Sequence, residues 1–393
     1  MITARLVVCL GFSQLVAWGT MHYLIAIFGA AIGRDLGLGG AQVQAGFSLA
    51  LVVMGASSGL VGRWINHHGG RAAMMAGCWI GAAGCVLLAT SSSLPQYYAS
   101  WVLLGLGMRL ALYDAAFASL AYLGGQSSKR AMSQITLFGG LASTAFWPIG
   151  QLLLQTFGWR GALWAYAAFL VLASGLHLAI PRGRLATGNP AISAAALPPD
   201  SLEPATAEKM LYGVIASIAM FMQTGLAAHF IELIKGLGWN ATTAVSIATL
   251  LGLGQFTARG WVVAWGHRYN PVWLNLLPSV FLCGSFLVSL WFGSTLAGAG
   301  AFAFFYGAGN GIATITRGSM PLLLFDAASY GRIVGAILKP AFLLAAVAPI
   351  AIALAIERWG QRGTIAAALA MSVALLVASV VLLALYRSRT APR

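Results

Sequence analysis

Carboxylates are scarce in this chain: eight Asp and Glu stand among 393 residues, and charged residues of both signs make up only 8%. A soluble domain carries roughly 25% charged residues, because its surface faces water. With 60% hydrophobic residues and a mean hydropathy of +0.85, this chain cannot supply the wet surface of a soluble fold of its length. A bundle embedded in a bilayer needs far less wet surface. Cysteine is scarce too. Cys9, Cys78, Cys85 and Cys283 all lie inside apolar stretches and read as small packing residues, not as a disulfide framework. A glycine-rich phosphate loop ending in Lys-Ser/Thr is missing, so no ATPase is built in. The alternating strands of a membrane β-barrel are missing as well. No cleavable leader is expected. Met-Ile-Thr-Ala-Arg runs straight into an apolar stretch longer than a signal core, with no small-residue cleavage site before Arg34, and reads as a retained first helix.

What the chain has is continuous apolar runs of about twenty residues, the length of a membrane-crossing helix. Six fall at 6–32, 43–65, 72–92, 96–123, 131–156 and 161–180, and six more at 210–236, 241–266, 271–293, 296–320, 331–356 and 362–387. Between the sets lies one long polar stretch, rich in proline from Pro181 to Pro204 and ending near Lys209. It reads as a linker. The expected fold is therefore an all-α membrane protein of twelve transmembrane helices in two six-helix bundles, residues 1–180 and 210–393, joined by a linker at 181–209. The net charge of +14 is not a nucleic-acid patch, because the basic residues are dispersed among the short gaps. With the N-terminus inside, fourteen Lys and Arg fall in inside loops and tails, Arg317 among them. Five fall outside: Arg34, Arg160, Lys235, Arg358 and Arg362. The positive-inside rule then places both termini and the linker in the cytoplasm of a cell inner-membrane protein. Two such sets suggest structural repeats with a substrate site at mid-membrane between them. Glycine-rich stretches such as Gly77–Gly81–Gly84 and Gly105–Gly107 read mainly as close helix packing.

The loop after the second run reads Gly62-Arg-Trp-Ile-Asn66-His67-His68-Gly69-Gly70-Arg71. It resembles the signature of the major facilitator superfamily, with Asn66 in place of an Asp, His67 in place of an Arg and Gly70 in place of a basic residue. In that family the loop helps latch the two halves, so the resemblance implies a gating role for Gly62, Asn66, Gly69 and Arg71. Without the carboxylate the latch loses its ionic part, though Asn66 retains the capacity to cap a helix. Gly158-Trp159-Arg160 and Gln255-Phe-Thr-Ala-Arg259-Gly260 look like the monocarboxylate-transporter and oxalate/formate-antiporter branch. That branch carries an eighth-helix Arg that pairs with a substrate carboxylate, and Arg259 matches it. Gln255 stands where monocarboxylate transporters place an Asp, and Tyr23 where their first helix can carry a Lys. The resemblance implies a small organic anion moved by alternating access.

Ionisable groups inside apolar helices cost about 2.5–3.5 kcal/mol on insertion scales, so each is a functional hypothesis. Arg109, Asp114, Arg259 and Lys339 lie well inside, and His229 and Glu232 lie nearer an outer end. Arg259 presents a fork matched to a carboxylate, with Gln255 one turn away on the same face. The alternative is an Arg snorkelling to the interface. On a straight fourth helix Arg109 and Asp114 would stand about 140° apart, so Arg109 would share the cavity face with Tyr113 while Asp114 faced a neighbour. A local Arg–Asp pair is the alternative. His229 and Asp114 are the candidate proton-coupling groups, His229 because its free pKa lies near physiological pH. It reads equally as a bonded interfacial His. Lys339 precedes Pro340, which permits a hinge. Trp18, His22 and Tyr23 can line the pathway with Tyr113 and Trp147, or serve as core and interface anchors.

Gly55-Ala-Ser57-Ser-Gly59 fits a serine-hydrolase pattern, but that motif works on a strand-to-helix turn and this one lies in an apolar helix. His67 and His68 lack acidic or thiolate companions for a metal site. No enzyme activity, cofactor or metal is expected. The expected partners are a small anionic substrate and the lipid bilayer, with no nucleic acid, and a monomer is expected. Efflux of drugs or arsenicals and uptake of a vitamin such as a flavin are the alternative readings. Cys78 and Cys85 lie roughly 10 Å apart along one helix, too far to chelate one arsenic atom together.

Overall fold

The computed structural model describes residues 2–124, 128–181, 206–320, 324 and 330–390, and among these there is no strand. The helices fall into twelve segments, consistent with the expected count. They are α1 (4–36), α2 (40–68), α3 (Gly70–Ala89), α4 (94–124), α5 (129–157), α6 (159–179), α7 (Thr206–Lys235), α8 (Ala241–Trp265), α9 (271–292), α10 (Leu296–Ser319), α11 (330–359) and α12 (361–390). Eight stretches are long and apolar enough to cross a membrane, two of them 50 residues long. Glycine breaks those two. Gly158 (φ 68°, ψ 172°) separates α5 from α6, and Gly360 (φ 69°, ψ 177°) separates α11 from α12. A side chain is strained at that φ, so glycine is what lets each long helix fold back on itself. Asn240 and Thr295 cap α8 and α10 through their side-chain oxygens.

The helices pack through small residues, as expected. A Cβ on Gly107 of α4 would lie 2.8 Å from the backbone nitrogen of Gly81 on α3, so the two backbones nearly touch. At the end of the bundle that carries Gly158 and Gly360, the loops of the first half are tied together. Arg160 donates to the carbonyls of Ala89 and Ser91 and to Asp35. In the second half Trp239 Nε1 donates to the Gly293 carbonyl.

Several of these segments are not straight. α5 breaks at Leu141 and α9 at Asn275, and three further departures bear on the site or the motifs. α1 carries a π-turn over Trp18–His22, α4 breaks at Leu112 and α2 breaks at Ser57. The last puts the hydrolase-like Gly55–Gly59 stretch at a kink between two helical pieces. The linker was expected to run to Lys209, but α7 already begins at Thr206 and carries Glu208, 2% exposed, paired with Arg389 at 2.7 Å. Residues 182–205 lie outside the described residues. Arg317, expected in an inside loop, sits in the last turn of α10.

The two sets of helices meet along α5–α8, α2–α11 and α1–α7. One apolar core runs through both, with Tyr23 and Trp147 from the first set and Phe230 and Tyr306 from the second. The candidate site lies at this seam.

Candidate functional site

α8 is the spine of the site, held by glycine on both sides. On the side facing α10, a Cβ on Gly311 would lie 2.9 Å from the Gln255 carbonyl and one on Gly254 3.0 Å from Ala308 N. On the side facing α5, a Cβ on Gly252 would lie 2.6 Å from Ser143 Oγ and 2.9 Å from the Gly140 carbonyl. Thr144 Oγ1 donates to the Thr249 carbonyl at 2.8 Å across the same contact. Gln255 and Arg259 continue the α5-facing stripe, four residues apart. α8 therefore presents both side chains to the first half.

Arg259 is 3% exposed. Its Nη1 donates to the Thr136 carbonyl of α5 at 2.8 Å, and its Nε, fully buried, has no hydrogen-bond partner among the described residues. No carboxylate lies within ion-pair distance of it among those residues. The interfacial snorkel would leave the guanidinium in water, and this one is enclosed. Tyr113 donates to the same Thr136 carbonyl at 3.2 Å and lies within hydrogen-bonding reach of Arg259. Tyr23 lies within reach of Gln255. Arg259, Gln255, Tyr113 and Tyr23 thus come together, as the sequence suggested.

Trp18 joins them. Its ring stands 5.0 Å from Tyr113, 4.6 Å from His22 and 6.3 Å from Tyr23. The π-turn brings three aromatic residues at positions 18, 22 and 23 to one side of α1, an arrangement that a regular helix spreads differently. Beyond Tyr23 the aromatic path continues through Trp147 at 5.6 Å to Phe230 at 6.1 Å and Tyr306 at 4.9 Å, crossing between the halves. Trp18 Nε1 and Trp147 Nε1 are buried donors without partners among the described residues. With Arg259 Nε they make a centre short of acceptors, which an acceptor-rich anion would satisfy.

The other ionisable residues are placed differently. Arg109 and Asp114 form an ion pair. The 140° separation assumed a straight helix. Leu112 (ψ −172°) is extended, so α4 restarts at Tyr113 and Asp114 sits in the first turn of the new segment. There a carboxylate is favoured by the helix dipole, and the break lets Arg109 reach it. Asp114 remains 54% exposed against 13% for Arg109. His229 does not join the centre: its Nε2 meets the Pro349 carbonyl of α11 at 2.9 Å. Glu232 pairs with Lys235 at 2.9 Å.

In the gating loop Gly69 (φ 77°) ends α2, and a Cβ there would stand 3.2 Å from Tyr122 of α4. Gly62 faces open space and Arg71 is half-buried. The side chains of Asn66, His67 and Lys339 lie outside the described residues.

Sequence reasoning missed Arg317, which lies within electrostatic range of both Asp114 and Arg259. The signal was that Arg317 falls inside the apolar run 296–320 and not beyond it. It also missed His177, fully buried and bonded to Ser13 Oγ at 2.9 Å. No charge stands near it in the sequence to draw attention to it.

The comparisons with known proteins agree with this architecture. Rattus norvegicus "Monocarboxylate transporter 13" is 28% identical over 279 residues, 62% of this chain and 61% of that protein. Homo sapiens "Monocarboxylate transporter 11" is 28% identical over 284 residues, 65% of this chain and 57% of that protein. The chain thus spans about three fifths of the length of these relatives. The fold of the nucleoside transporter NupG superposes with a TM-score of 0.75 at 13% identity, covering 97% of this chain and 100% of that one. A peptide transporter, POT, gives 0.71 at 16% identity, covering 97% and 94%. The profile of the Major Facilitator Superfamily matches residues 10–341, and the chain belongs to that family of multi-pass membrane transporters.

Proposed function

We propose that this transporter is a secondary carrier of a small organic anion, monocarboxylate-like, moved by alternating access and linked to protons. The carrying observation is Arg259: a guanidinium 3% exposed on the seam between the halves, with no described carboxylate to meet it. A buried guanidinium without a counter-ion is expensive, so a ligand anion is its natural partner. Gln255 in place of an acidic residue leaves that charge free. The relatives' names, monocarboxylate transporters, support the same class. Tyr113, Tyr23, Gln255 and Trp18 would orient the anion, and Arg109 is paired with Asp114, the residue next to Tyr113. The charge distribution supports an inner membrane with both termini and the linker in the cytoplasm, and the helix order supports two six-helix bundles about that linker.

The test is transport of labelled organic acids by Arg259 variants in proteoliposomes. Arg259→Lys keeps charge but loses the fork and should weaken transport. Arg259→Gln should weaken it by roughly 30-fold or more, as expected for truncating one side of a buried charge pair. Insertion and folding should be unaffected. Wild-type rate and apparent affinity in Arg259→Gln would reduce Arg259 to a structural anchor and remove the assignment.

A further inference from the structure

Arg317 was counted as a loop charge by position in the sequence, but the fold places it inside the bundle. Along α10, Tyr306, Asn310, Ala313 and Arg317 recur at helical spacing and share a face. A neighbouring face, roughly 90–130° round the helix, carries Gly307 and Gly311, packed on the backbone of α8. The Tyr306 face looks toward α7 and the centre: its hydroxyl donates to the Met222 carbonyl at 3.1 Å and its ring stacks on Phe230. Three turns on, the carbonyl of Arg317 accepts from the Tyr212 hydroxyl of α7 at 3.0 Å. Arg317 also borders a cavity of about 10 Å³ with Tyr212, Asn275 and Ser279, room for one water at most.

Depth along the bundle follows from the helical rise. Gln255 lies within hydrogen-bonding reach of Tyr23 and Tyr306 within electrostatic range of it, which gives the two helices a common reference. Arg259 lies four residues beyond Gln255 and Arg317 eleven beyond Tyr306. At 1.5 Å per residue Arg317 is roughly 10 Å further toward the linker end than Arg259. Even so, the two guanidinium groups lie within electrostatic range of each other.

Among the described residues the charges do not balance. Arg317 lies within electrostatic range of Arg259 and of one carboxylate, Asp114, and that carboxylate is bound to Arg109. Among the described residues neither Arg259 nor Arg317 has a carboxylate within ion-pair distance. One bound monoanion would still leave a guanidinium unmatched, whereas a dianion would match both.

We propose that Arg317 is a second anion-contact residue of the central site, and that the site prefers a small dianion, with one carboxylate on Arg259 and the other on Arg317. This rests on the reading of Arg259 as an anion anchor.

Calorimetric titration of the purified protein with butyrate, succinate and succinamate tests it. Succinate should bind at least about tenfold more tightly than butyrate or succinamate, which offer one carboxylate on the same skeleton. Arg317→Gln should cost succinate at least about tenfold more than it costs butyrate, bringing the two to similar affinities. Arg259→Gln should weaken all three. Equal affinities for succinate and succinamate in the wild-type protein, a comparison that needs no variant, would overturn the proposal. So would an Arg317→Gln variant that weakens butyrate and succinate alike. If none of the acids binds, or if Arg259→Gln changes nothing, the anion reading of Arg259 falls first and the dianion with it.

Discussion

A guanidinium cannot give up its proton at any accessible pH, so each arginine in a membrane helix has to be met by something. This chain meets Arg109 with Asp114, through a break that no helical wheel shows, and meets Arg259 with one backbone carbonyl. That difference is what supports reading Arg259, and not Arg109, as the proposed binding group. Arg259 was legible in the sequence because an expensive charge sat in an apolar run. The Arg109–Asp114 pair was legible only as an alternative, since residue spacing implies contact only if the helix is regular. Asp114 is also the better coupling candidate of the two named. It is 54% exposed at the site, whereas His229 is enclosed and bonded to the Pro349 carbonyl. In Asp114→Asn, net uptake driven by a pH gradient should collapse while exchange between preloaded and external substrate persists. Measuring both fluxes in one set of vesicles decides it. Undiminished gradient-driven uptake would take the proton off Asp114.

At the scale of the element, hydropathy marked where helices run but not where they bend. The twelve segments and the proline-rich gap were visible because a membrane span needs about twenty apolar residues. The π-turn at Trp18–His22 and the break at Leu112 were not, because both are fixed by tertiary packing and neither contains proline. The glycine stretches were visible as close packing, and the seam around α8 shows a case that lies between the halves. A side chain at Gly252 would enter the space of Ser143 Oγ and the Gly140 carbonyl on α5. Overpacking of this kind costs about 1–3 kcal/mol. It would fall on the contact between halves and not within either bundle. Gly252→Val should therefore leave each half folded, with little change in melting temperature, while transport drops sharply. A variant that melts early with an unaltered initial rate would show that the seam is structural only.

At the scale of the molecule, α5–α8, α2–α11 and α1–α7 are the main joints between the two sets of helices. Alternating access requires such joints to open and close while the site stays fixed between them. At the hairpin end, Gln155 of α5 and Thr242 of α8 are both exposed and bonded to each other, with Nε2 and Oγ1 3.4 Å apart. If the charge distribution sets the orientation, this end faces outside, where few Lys and Arg stand. A double variant, Gln155→Cys with Thr242→Cys, gives that geometry a handle. Three of the native cysteines, Cys78, Cys85 and Cys283, are buried and the fourth, Cys9, is only partly exposed near the opposite end. A short, reducible, membrane-impermeant thiol cross-linker added to intact cells should join the pair and stop transport. Reduction should restore it, and neither single variant should respond. Full transport by a completely cross-linked population would mean that this joint does not open during the cycle. Cross-linking seen only after permeabilisation would reverse the orientation and place the linker on the other side of the membrane.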